Sequence, residues 1–116
     1  MPYTALSFEG RKSLVVPTQT PGAGGTVTPD LSQGWTWPIQ MPAGNITIAN
    51  PVNGLPGEEL TLVITQDAVG TRTVSWGSVF RKGVLSLSIG ANAVDLVAYV
   101  FDGNIWRQIG SVLGLA

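Results

Sequence analysis

The feature that most constrains this chain is the alternation across residues 60–76. Leu60, Leu62 and Ile64 face one way, and Thr61, Val63 and Thr65 the other. After a break, Arg72, Val74 and Trp76 alternate with Thr71, Thr73 and Ser75. Period-2 alternation of β-branched and aromatic residues is the pattern of half-buried strands, because successive side chains leave opposite faces. Gly57, Gly70 and Gly77 bound the two runs, and residues 66–70 read as a hairpin loop whose Gly70 can take a positive φ.

The rest of the chain repeats this message. Residues 1–8 read as a short strand, and the apolar run 14–16 stops at Pro17. Residues 17–29 hold three prolines, three glycines and four threonines, with Val27 as the large apolar side chain. That composition predicts an extended arm. Trp35, Trp37 and Ile39 share a face, with Pro38 marking an edge or a bulge. Further short strands are expected at 46–49, 84–89, 94–101 and 105–109. The run 94–101 is apolar on both faces, so it is central or covered. Asp102-Gly103-Asn104 is a tight hairpin turn. About eight short strands and no helix predict an all-β fold, an antiparallel β-sandwich or jelly-roll-like barrel. The barrel would span 30–116, behind an N-terminal strand and extended Gly/Pro-rich arm at 1–29. A faint echo pairs Thr18-Gln19 and Thr26-Val27-Thr28 with Thr65-Gln66 and Thr73-Val74-Ser75, too little to argue a duplication.

Composition then removes function classes. The 116 residues include no Cys and no His, so thiolate chemistry and the commonest general base are absent. Six basic residues face seven acidic ones, without the basic excess of a nucleic-acid binder. No apolar run approaches a membrane span, and no signal segment opens the chain. Charged residues make up 11% of the chain, under half the usual share of about 25%, which predicts a surface solvated in part by Thr, Ser, Asn and Gln and, for the larger part, hidden against other subunits.

The candidate chemistry is thin. The carboxylates are Glu9, Asp30, Glu58, Glu59, Asp67, Asp95 and Asp102. Glu58 and Glu59, as neighbours entering a strand, are expected on opposite faces rather than as an acid/base pair. Asp67 and Asp102 fit turns, where Asp bonds local backbone. Gly22-Ala23-Gly24-Gly25 lacks the Lys and helix of a phosphate loop. No cofactor or metal is expected, and the chain is not expected to be an enzyme. Trp35, Trp37, Trp76 and Trp106 are the candidates for a sugar-stacking platform, an exposed pair at Trp35 and Trp37 above all, against the plainer reading of core or interface.

A larger pattern is carried by Ile48-Ala49-Asn50-Pro51, Gly54, Leu60-Thr61-Leu62, Ile64-Thr65-Gln66-Asp67 and the run from Gly70 through Arg72, Trp76 and Gly77 to Ser78. It closes with Ala93-Val94-Asp95-Leu96 and Asp102-Gly103-Asn104-Ile105-Trp106. Together these resemble a module of tailed-bacteriophage virion proteins, found in head-decoration and in tail-fibre or receptor-binding proteins. The chain departs from it after Gly77, where Arg81-Lys82-Gly83 stands in place of a longer Pro/Gly-rich loop. The resemblance implies a β-rich structural domain, commonly trimeric.

The expectation drawn from it is a capsid decoration, or cement, protein, made in the host cytoplasm and carried on the virion head. Its partners would be the major capsid protein and its own copies in a homo-oligomer, a trimer. The alternative is a tail-fibre or receptor-binding domain that binds host surface glycan. Contact candidates in the N-terminal region are Tyr3, Phe8, Arg11, Lys12 and Pro17. In the body they are Trp35, Trp37, Val97, Tyr99 and Phe101, and in the tail Val112, Leu113 and Leu115.

Overall fold

A computed structural model describes residues 13–81 and 86–115. Nine strands are found among them: β1 (Ser13–Val15), β2 (Thr26–Val27), β3 (Gly34–Gln40), β4 (Ile46–Ile48), β5 (Glu59–Thr65), β6 (Val74–Trp76), β7 (Phe80–Arg81), β8 (Val94–Phe101) and β9 (Trp106–Leu115). The described residues contain no helix.

The strands do not pair as neighbours in sequence. They alternate between a six-stranded sheet, β1-β3-β5-β8-β9-β7, and a three-stranded sheet, β2-β4-β6. Within each sheet the first three strands run parallel. The chain therefore coils through three rungs, each placing one strand in each sheet, which is the architecture of a β-solenoid. Ser13 pairs with Gly34 and Thr26 with Thr47, each 21 residues on. Thr36 then pairs with Thr61, 25 residues on, and Ile46 with Val74, 28 residues on. The second coil is longer because its connections are longer. The antiparallel pair β8–β9 closes the stack, with β8 antiparallel to β5 and β7 parallel to β9.

This departs from the antiparallel sandwich. Period-2 alternation is the same in parallel and antiparallel strands, so it identifies strands without identifying their partners. The runs expected to form one hairpin, β5 and β6, lie in different sheets. The segment between them turns a corner. Residues 17–29, expected as an arm, belong to the first rung: Val27 and Pro29 are buried, and Gln19 bridges to Ile39. The echo between first and third rungs has a structural counterpart two residues away, since Val27 stacks on Ile48 and Ile48 on Trp76. Of the strand expected at 84–89, residues 86–89 are not strand and the remainder lies outside the described residues, as does the strand expected at 1–8.

Buried side chains stack in columns between the two sheets. Trp37 lies on Leu62 and Leu62 on Val97; Ile39 lies on Ile64, and Leu60 pairs with Tyr99. Tyr99 contacts Phe80 and Trp76 at ring-centroid distances of 5.0 and 6.0 Å. Trp106, 1% exposed, stacks on Phe101 at 4.7 Å over the cap.

Candidate functional site

The polar residues that make the sequence pattern recognisable hold the corners. Gln66, buried, donates through Nε2 to the Arg72 and Ser88 carbonyls and accepts from the Arg72 amide at Oε1. Asp67 accepts from the Gly70 and Val69 amides and from the Arg72 guanidinium at 3.0 Å. The Arg72 hydrogen bond, then the Gly70 amide, hold the Asp67 carboxyl below its ordinary value. Asn45 and Asn50 accept from the Thr73 and Val79 amides of the next rung. Gly77 lies so close to Asn50 that a Cβ there would meet its amide oxygen. Asp95, 2% exposed, accepts from the Ser88 and Gly114 amides. Asp102 accepts from the Ile105 and Asn104 amides and from Arg107, which lower its pKa in that order. These side chains are committed to the scaffold, as expected for Asp67 and Asp102.

The surface open to partners is the outward face of the six-stranded sheet. Thr36, Thr61, Ala98 and Gly110 form one row across β3, β5, β8 and β9, and Pro38, Val63, Leu96 and Val112 the next. Neither row carries a charge. Val112, Leu113 and Leu115 on β9 are 53%, 42% and 42% exposed. An uncharged, partly apolar sheet face of this kind is suited to cover by another subunit.

At one edge of this face is a groove of about 460 Å³ lined by Trp35, Thr36, Gly57, Glu58, Glu59 and Thr61. Its volume is in the range of small-molecule sites. Trp35 is the most exposed of the four tryptophans at 37%. Its Nε1 donates to Glu58 Oε2 at 3.2 Å, while Glu58 Oε1 accepts from the Leu55 amide at 2.8 Å. Glu58 and Glu59 line the same groove, contrary to the expectation of opposite faces. The reason is local: Glu58 precedes β5, in a turn closed by its own amide on the Leu55 carbonyl, with Gly57 at φ +91°. That turn was legible as Gly57 in the sequence, but its effect on the two carboxylates was not.

The contact candidates divide accordingly. Trp35, Val112, Leu113, Leu115 and Pro17 are exposed. Trp37, Val97 and Tyr99 are not surface residues: each is at most 4% exposed, in the core columns, because the strand period turns them inward. The Trp37 indole donates to the Gly34 carbonyl, so it does not join Trp35 as a platform. Phe101 is half-buried against Trp106. Tyr3, Phe8, Arg11 and Lys12 lie outside the described residues. The described residues hold no cluster of ligating side chains fit for a metal ion.

Residues 16–106 match the family described as "Putative phage tail fibre C-terminal domain". The match covers most of the chain and defines it as a phage structural protein. The chain belongs to this tail-fibre domain family. No curated protein and no solved structure matches it. The description favours the tail over the capsid surface, and the head-decoration expectation gains no support from it.

Proposed function

We propose that the chain is a non-enzymatic tail-fibre domain that assembles with its own copies and binds glycan on the host surface. The observation that carries the reading is the tail-fibre family match over residues 16–106. The groove beside Trp35 supplies the binding chemistry: an aromatic face next to oriented carboxylate acceptors. The two uncharged rows on the outward face of β3, β5, β8 and β9 support self-association, with a trimer as the proposed state. An adhesive role is favoured over a hydrolytic one because both Glu58 oxygens accept structural hydrogen bonds.

The test is competition. Purified domain added to host cells before the phage is expected to reduce phage adsorption in a dose-dependent way. Adsorption unchanged at saturating domain would count against a receptor-binding role.

A further inference from the structure

We propose that Arg81 and Arg107 form a site for a phosphate group carried on host-surface glycan. The inference rests on the host-binding reading above and adds to it a site apart from the Trp35 groove. Its first observation is register. β7 and β9 run parallel, with Phe80 opposite Trp106 and Arg81 opposite Arg107. Phe80 and Trp106 are buried, so the strand alternation turns both exposed arginines outward on one face. Adjacent strands lie about 4.8 Å apart, which lets the two guanidiniums reach one ligand. Like charges directly opposed on a sheet are destabilising, so an anion between them removes a cost that the bare fold carries.

The second observation is anchoring. Arg81 Nη1 donates to the Ser78 carbonyl at 2.6 Å and to the Phe80 carbonyl at 3.2 Å. Arg107 Nε donates to Asp102 Oδ2 at 2.9 Å, and Asp102 is itself fixed by the Asn104 and Ile105 amides. Each guanidinium is thus held by one nitrogen, with its other nitrogens available to a ligand. The Arg107 side chain is 60% exposed. Asp102 offsets one of the two positive charges, and residues 82–85, which follow Arg81, include no Asp or Glu. Glu59 stands in the same row beyond Val100, two strands from Arg107. That is roughly 10 Å by strand spacing, a distance at which salt screens exposed charges. Two guanidiniums favour a tetrahedral oxyanion. One fork fills both oxygens of a carboxylate, whereas a phosphate offers a further oxygen to the second fork.

The test is titration of the full chain with glucose 1-phosphate, glucuronate and glucose, following the Arg81 and Arg107 Nε–H resonances. Glucose 1-phosphate is expected to shift both resonances and to bind about fivefold more tightly than glucuronate, while glucose shifts neither. Arg81→Gln and Arg107→Gln should each weaken phosphate binding about fivefold, and Arg81→Lys, which keeps the charge without the fork, should weaken it less. Unchanged thermal unfolding shows that each variant keeps the fold, and the resonance shifts of the unaltered chain need no variant. Glucose 1-phosphate that shifts neither arginine, or that binds Arg81→Gln as tightly, would overturn the site. Glucuronate bound equally well through the same arginines would overturn phosphate as the ligand. In the adsorption competition, the Arg81→Gln domain should be about fivefold less potent than the unaltered one. Equal potency, with phosphate binding confirmed in the unaltered chain, would overturn host glycan as the source of the phosphate. Adsorption affected by neither domain would instead overturn the host-binding reading itself.

Discussion

At the scale of single residues, the cap is governed by contacts that a pattern of apolar letters does not reveal. Gly54 lies under the Trp106 ring, and a Cβ there would come within 2.7 Å of Trp106 Cζ2. Trp106 has nowhere to move, being fully buried and stacked on Phe101. Gly54→Ala is therefore expected to destabilise the fold by about 1–3 kcal/mol, the usual cost of overpacking, read by chemical denaturation. Tyr99 presents the opposite case. Its hydroxyl is buried without a hydrogen-bond partner among the described residues, and burial pushes its phenol above the ordinary value of 10. Removing an unsatisfied hydroxyl removes a desolvation cost, so Tyr99→Phe should leave stability unchanged or raise it by about 1 kcal/mol. A loss of more than that would mean that the hydroxyl has a partner in solution. Tyr99 was legible in the sequence as an apolar position on a two-sided strand. Which of its faces met the core was not, because both faces of 94–101 carry large side chains.

At the scale of elements, strands were legible and their partners were not. The alternation at 60–76 marks β5, and marks β6 over 74–76 alone, since residues 71–73 are not strand and Thr71 has φ 65°; the eight residues between β5 and β6 cross from one sheet to the other. A loop with Asp and Gly looks the same whether it returns a strand beside its predecessor or carries it around a corner. The groove was half legible in the same way. Trp35 stood out as an aromatic candidate and Gly57 marked the turn, but nothing in the sequence showed that this turn brings Glu58 and Glu59 to one groove. The corners also set the response to acid. Asp30, Asp67 and Asp102 each have a pKa held below the ordinary 3.8: Asp30 chiefly by the Ser32 hydroxyl, Asp67 by Arg72 and Asp102 by the Ile105 amide. A carboxyl lowered in the folded state binds fewer protons there than in the unfolded chain. Its contribution is present in full above the unfolded value and is lost as pH falls through the folded one. Stability should thus be flat on this account at neutral pH and decline once pH drops below the ordinary carboxylate range. Asp67→Asn should lower stability near neutrality and flatten the acid limb, as measured by urea unfolding across pH. An acid limb unchanged in Asp67→Asn would show that this corner does not contribute to it.

At the scale of the whole molecule, the low charge noted in the sequence is concentrated to effect. The outward face of the six-stranded sheet has two uncharged rows, and β9 leaves Val112 exposed in the second of them. Under the proposed self-association, a charge placed there should keep copies of the chain apart without harming the monomer, because the Val112 side chain is exposed in the single chain. Val112→Lys is expected to shift the protein from oligomer to monomer in light scattering, with its β-type circular dichroism unchanged. An oligomer of unaltered mass would place the subunit contact on another surface. The same face borders the Trp35 groove, so assembly and ligand binding would share one side of the domain.

The proposed role puts this solenoid domain on the tail fibre. The most direct measurement is electron microscopy of intact virions labelled with gold-tagged antibody against the purified domain. Gold is expected on the tail fibres, with none above background on the capsid. Gold distributed over the head, with unlabelled fibres, would contradict it.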